Sequence, residues 1–198
     1  MDALERLKEG NRRFVAGVRS EKPMTHAERS ALARQQRPFA IVLGCSDSRV
    51  PAEVVFDQGL GDLFVIRVAG NIVSPSQVGS VEFAAERFGT QLVVVLGHTL
   101  CGAILATLEH VRQSAHHPDN LLAIVERIRP SVQTILELRP SAGEDELVHL
   151  AVRANVRASV NHLRHGSALL ERLIQQGRLK VVGAEYSLET GEVDFFEA

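Results

Sequence analysis

Cysteine is scarce: this 198-residue chain has two, Cys45 and Cys101. Two thiols cannot build the disulfide lattice of a small secreted domain, and a chain of this length forms a hydrophobic core without one. Nor can they close a four-thiolate structural zinc site. Charge of one sign is lacking too. Twenty-two Lys and Arg against 24 Asp and Glu leave a formal charge of −2 and a pI near 6.4. That balance excludes a sequence-blind nucleic-acid binder, which needs a basic face to release counterions. No apolar run is long enough to cross a bilayer, so no membrane partner is expected. The opening residues Met1-Asp2-Ala3-Leu4-Glu5-Arg6 lack the apolar stretch of a secretory signal. A cytoplasmic location is the expectation, where a reducing environment keeps both thiols free.

What is present is an ordinary globular composition. Hydrophobic residues make up 45% and charged residues 23%, so a packed core is expected rather than disorder. Short apolar runs at residues 39–44, 63–68 and 92–97 read as buried strands, with further candidates at 179–183 and 192–196. Helical patterns lie between them. Residues 2–16 set Leu4, Leu7, Phe14 and Val15 on one face, and Thr25 is placed to cap a second helix. In residues 76–89, Val78, Val81, Phe83, Ala84 and Ala85 suit a buried helix that Gly89 ends. Residues 100–112 form another candidate. Residues 118–176 read as nearly all helix, broken at Pro130, Pro140 and Gly166. Strands separated by helices predict one α/β domain with a mostly parallel sheet covered by helices. Its expected parts are a helical arm at residues 1–37 and an α/β core at residues 38–198.

The chemistry-bearing residues fall at strand ends. Cys45 follows the first strand directly, and His98 and Cys101 follow the third. In an open parallel sheet, ligands bind outside the carboxyl ends of the strands. Two separate strands therefore deliver thiol, imidazole and thiol to one edge. This donor set suits tetrahedral Zn²⁺, and three protein ligands leave the open position of a catalytic site. Two thiolates and a neutral imidazole make the zinc site neutral. A carboxylate in the fourth position would make it negative and displace water. Asp47 is close enough in sequence to do so. Arg49 is spaced to hold that carboxylate in a two-pronged pair, off the metal and turned towards its water.

The segments Cys45-Ser46-Asp47-Ser48-Arg49-Val50-Pro51-Ala52-Glu53 and Gly97-His98-Thr99-Leu100-Cys101-Gly102 resemble the two signatures of the β-class carbonic anhydrases. Residues 62–71 and 183–191 resemble that family's intervening and C-terminal strands. The resemblance implies zinc on Cys45, His98 and Cys101, and a catalytic dyad of Asp47 and Arg49. It implies reversible hydration of CO₂ to bicarbonate and a proton by zinc-bound hydroxide. It also implies a homodimer, often paired into a tetramer, with active sites at the subunit interface and N-terminal helices that embrace the partner. Gln36 and Phe64 fall at substrate-pocket positions of always-open members, and Gly102 lies beside the second cysteine. Members that close at low pH often carry Trp three residues before the first cysteine, where this chain has Val42. The chain departs from the family in Gly102-Ala103, where many members have Gly-Gly, and in Ser187, where Asp is common.

Other residues carry weaker signals. Arg67 can bind an anion or pair with Asp47. His116 and His117 can bind metal or pass protons, though a solvated loop explains them. Tyr186 reads as packing. Three rival functions stay open: hydrolysis of COS or CS₂ at the same centre, thiol chemistry at Cys45, and a non-catalytic zinc module. Thiol chemistry leaves His98 and Cys101 without a role.

Overall fold

Strands covered on both faces must be apolar throughout, and Ala40–Gly44 (β1) and Leu92–His98 (β3) are buried along their whole length. Leu63–Arg67 (β2), Lys180–Tyr186 (β4) and Val193–Phe196 (β5) complete a sheet in the order β2-β1-β3-β4-β5. β1 to β4 run parallel, and β5 returns antiparallel on β4. The structure is a computed structural model that describes residues 2–19, 25–113 and 118–196.

The chain goes outward from β1 to β2, then crosses back to lay β3 on the other side of β1. The strand order therefore reverses between β1 and β3. In doubly wound sheets, the crevice at that reversal is where ligands bind. Cys45, His98 and Cys101 all lie at this crevice.

Helices cover both faces: Ala3–Val15 (α1), His26–Leu32 (α2), Ala52–Val55 (α3), Pro75–Phe88 (α4), Gly102–Gln113 (α5), Asp119–Leu138 (α6), Glu144–His165 (α7) and Ala168–Gln175 (α8). Alternation divides the strand residues. Ile41, Leu43, Val93 and Val95 pack with Val156, Val160, Leu163 and Leu170 of α7 and α8. Ala40, Val42, Val94 and Leu96 pack on the other face with Leu7, Val55 and Phe56. A third cluster lies around the two cysteines, with Ile104, Ile128, Val132 and Val152. No helix among the described residues is long and apolar enough to cross a membrane.

The two arm helices behave differently. The chain itself covers α1. Leu7 is fully buried, which is worth about 1.5–3 kcal/mol for such a side chain. Asn11 donates to the carbonyls of Val55 and Gly191, 3.1 and 2.9 Å away. Gly10 makes the approach to α3 possible, since a Cβ there would lie 1.8 Å from the Phe56 carbonyl oxygen. The apolar face of α1 thus packs in part on its own chain, at Leu7, while Val15 at its end is 42% exposed. α2 is capped as expected: Thr25 and Glu28 form a reciprocal capping box. None of its residues is buried.

Two helix expectations are corrected. α6 runs through Pro130 without a break. Proline costs a helix interior about 3 kcal/mol. Val125, Ile128 and Val132 are fully buried on either side of it, and their packing carries the helix across. Breaks do fall near Pro140 and at Gly166. Phe83 is not part of the buried face of α4: it is 53% exposed and meets Phe88 edge to face at 5.5 Å.

Candidate metal centre

β1 ends at Gly44, so Cys45 is the first residue off the strand. β3 ends on His98, and the next three residues turn sharply into α5. Leu100 takes the left-handed conformation, φ 55°, which is uncommon for a residue with a side chain and is retained at constrained sites. This turn brings His98 and Cys101 to the same point. The main-chain N–H of Thr99 donates to the Tyr186 carbonyl at 3.0 Å. Its hydroxyl accepts from the Leu188 N–H at 3.0 Å. β4 thereby holds the turn.

The donor atoms of Cys45, His98 and Cys101 lie within 4.8 Å of one another. All three residues are buried, His98 completely. Its Nδ1–H donates to the Thr99 carbonyl at 2.9 Å. That bond fixes the tautomer and leaves a lone pair on Nε2, the form a metal-binding histidine needs. Nε2 is buried with no hydrogen-bond partner, a costly arrangement unless something else satisfies it. Cys101 donates to the Cys45 sulfur, and this bond holds the Cys45 thiol down to about 4 against the effect of burial. The N–H groups of Asp47 and Gly70 help. The same bond, reinforced by burial, pushes Cys101 far up. Two close sulfurs and an orphaned imidazole nitrogen fit a soft divalent cation, zinc above all.

Asp47 and Arg49 lie beside this cluster. Arg49 donates from Nε to Oδ1 at 2.9 Å and from Nη2 to Oδ2 at 2.7 Å, and its main-chain N–H reaches Oδ1 at 3.0 Å. These bonds hold the Asp47 carboxyl well below the usual carboxylate range, with the Arg49 side chain the largest cause. Oδ2 lies 3.9 Å from His98 Nε2, so the carboxylate faces the cluster while its partner holds it back.

Arg67 does something the sequence reading missed. It neither pairs with the Asp47 carboxylate nor stands free. It donates from Nε to the Cys45 carbonyl at 2.9 Å and from Nη2 to the Asp47 carbonyl at 2.6 Å. One guanidinium thus braces the loop carrying both residues. β2 puts it there, since Arg67 pairs in register with Gly44. Tyr186 packs against Phe14, as read, with ring centroids 6.4 Å apart. His116 and His117 lie outside the described residues.

The three expected pocket residues are scattered. Gly102 adjoins Cys101 at the start of α5, but a Cβ there would meet nothing within 4 Å, so no close approach demands glycine. Phe64 pairs with Ile41 near the other end of β1 and β2 and packs on Phe83 and Phe88 at 6.2 and 6.1 Å. Gln36 precedes β1 and lines a cavity of about 910 Å³ with Arg29, Arg34, Arg37 and Arg87. Phe64 therefore lies four residues along the sheet from Cys45, about 13 Å at the strand rise of 3.3 Å per residue, and Gln36 comes before β1 begins.

A family model described as carbonic anhydrase matches residues 40–193. The chain belongs to the β-carbonic anhydrase family of enzymes. Carbonic anhydrase 2 of Mycobacterium tuberculosis is 40% identical over 190 residues, 96% of this chain and 89% of that one. The carbonic anhydrase of Mycolicibacterium smegmatis is 38% identical, over 97% of this chain and 91% of that one. Among solved structures, a Coccomyxa β-carbonic anhydrase in complex with acetazolamide is similar at a TM-score of 0.74 and 28% identity, covering 83% of this chain and 74% of that one. A tetrameric β-carbonic anhydrase of Sordaria macrospora shares the fold at a TM-score of 0.78 and 24% identity, with 86% of each chain covered.

Proposed function

We propose that this chain catalyses the reversible hydration of CO₂ to bicarbonate and a proton, with zinc held by Cys45, His98 and Cys101. The observation that carries this reading is the buried His98 Nε2, without a partner and set among two sulfurs within 4.8 Å. Zinc bound there supplies Lewis acidity, which turns water into a nucleophile near neutral pH. Asp47 supplies the acceptor. Its carboxylate stays ionised beside Arg49. Oδ2 keeps a lone pair free of Arg49, since each carboxylate oxygen accepts more than one bond. It takes a hydrogen bond from the attacking water and aims that water at CO₂. Arg49 keeps the same oxygen off the metal. Arg67 keeps Cys45 and Asp47 in register with each other.

The reading extends to assembly and location. Self-association as a homodimer or tetramer brings Gln36 and Phe64 of one copy to the metal end of another. An α2 with no buried residue, Phe83 at 53% exposure and Leu60 at 66% exposure support it. Residues 1–37 then act as an arm and residues 38–198 as the core. A reducing cytoplasm suits two free thiols that bind metal.

Stopped-flow CO₂ hydration on zinc-quantified protein, across neutral to alkaline pH, tests the proposal. Fast hydration at about one zinc per chain supports it. Full zinc occupancy without hydration at any of these pH values rejects it and turns the search to COS and CS₂.

A further inference from the structure

Behind Cys45 lies a short helical turn, Ala69–Asn71, with an unusual backbone. Gly70 and Asn71 are consecutive residues with positive φ, 68° and 43°. Glycine adopts that region freely, whereas asparagine does so at a cost. Gly70 is also hemmed in: a Cβ would lie 2.7 Å from Ile128 Cδ1 and 3.0 Å from the Ala103 Cβ. Backbone of this kind persists only where the surroundings hold it. Two side chains of α7 do so here. Asn155 donates from Nδ2 to the Gly70 carbonyl at 2.8 Å. Ser159 donates from Oγ to the Asn71 carbonyl at 3.0 Å. Both residues are buried, at 3% and 5% exposure. The turn so held presents the Gly70 N–H to Cys45 Sγ at 3.3 Å.

We propose that Asn155 and Ser159 are positioning residues for the metal centre, acting through the turn to keep the Gly70 N–H on the Cys45 sulfur. The inference rests on the reading of Cys45 as a metal ligand. A hydrogen bond to a ligating thiolate draws electron density from the sulfur and fixes its direction. Such outer partners set both metal affinity and the electronic character of the site. Arg67 braces the carbonyl side of Cys45, and the turn braces its sulfur. Both α7 side chains bond to carbonyls of the turn, so their influence reaches the Gly70 N–H through the turn's backbone.

The test replaces zinc by Co²⁺ in the full chain and follows the thiolate-to-cobalt charge-transfer band, together with the rate of metal loss to a chelator. Asn155→Ala is expected to bind one Co²⁺ per chain with a shifted band and to lose it about 10- to 100-fold faster than the parent, the usual range for an outer-sphere partner. Ser159→Ala is expected to move both readouts in the same direction by less, and Ser159→Thr, which keeps the hydroxyl, to restore them. A merely structural role lowers the melting temperature and leaves band and rate unchanged. That result in a folded Asn155→Ala overturns the proposal. If Asn155→Ala does not fold, the Ser159 pair decides by the same readouts. Cys45→Ser separates the two levels of the argument, because a full thiolate band in that variant removes the ligand reading itself.

Discussion

The two ends of the sheet are built on different principles. At the carboxyl end, Cys45, His98 and Cys101 are buried, and hydrogen bonds from Arg67, Gly70 and Thr99 hold the loops that carry them. At the amino end of β1 and β2, Gln36 lines an open cavity with four arginines, and Phe83 stands half in solvent. The first end is finished by its own chain. The second has the composition of a surface awaiting something: cations and apolar rings together, with no carboxylate among the cavity's lining residues. If catalysis needs both ends, one chain can supply only half of each site.

Ligand loss breaks the finished end most severely. Cys45→Ser or His98→Ala is expected to lose zinc and CO₂ hydration together, beyond the about 10- to 100-fold typical of residues that only orient a ligand. Metal analysis beside stopped-flow rates checks this. A His98→Ala protein that still holds one zinc and turns over normally would remove His98 from the centre.

Asp47→Asn comes next. Asparagine keeps the shape and still accepts one bond from Arg49, but it loses the charge and part of the acceptor capacity. Zinc content should be unchanged. The hydration rate should fall by about 10²- to 10⁴-fold, the range of a positioned acid–base group. Equal activity in the two proteins would show that the carboxylate has no part in the reaction.

How much of this contrast the sequence displays depends on the distance over which each interaction acts. The strands announce themselves locally, because β1 is apolar throughout and β3 is apolar up to His98. The capping box at Thr25 and the left-handed Gly89 are local as well. β4 runs on through Glu185 and Tyr186, beyond the apolar run, because Arg153 meets the Glu185 carboxylate at 3.2 Å and so allows a charged residue in a buried strand. The candidate metal donors were legible because each lies at or just past the end of a strand. The braces were not. Asn155 and Ser159 reach carbonyls 85 and 88 residues away, and a bond to a distant main-chain oxygen leaves no pattern near either partner. Arg67 was visible as a strand-end cation. Its true acceptors, two carbonyls on another loop, carry no side-chain signature.

Arg67 offers a smaller break at the same end. Arg67→Met keeps the length of the unbranched stem and removes the fork that spans two carbonyls. The loop from Cys45 to Asp47 then loses its register. Hydration at full zinc occupancy is expected to drop about 10- to 100-fold. Arg67→Lys should recover only part of this, since a single ammonium does not match two acceptors held by a planar fork. Complete recovery by lysine would mean that charge, not geometry, is what β2 contributes.

The smallest expected effect decides whether the two ends meet between copies. Gln36→Ala removes one amide, which costs about 1 kcal/mol for a typical hydrogen bond, or about fivefold in rate. Such a loss is modest, but it can be combined. In a dimer of one Gln36→Ala chain and one Asp47→Asn chain, shared sites leave one centre fully intact and one carrying both defects. If each site were built from a single chain, neither centre would be intact. Co-expression of two differently tagged chains yields the mixed dimer for purification. A mixed dimer with about half the wild-type activity, well above the mean of the two parent variants, places Gln36 at the partner's metal end, as the isologous contact of a two-fold dimer requires. Activity equal to that mean leaves Gln36 serving its own chain, and the open end of the sheet then needs a different occupant.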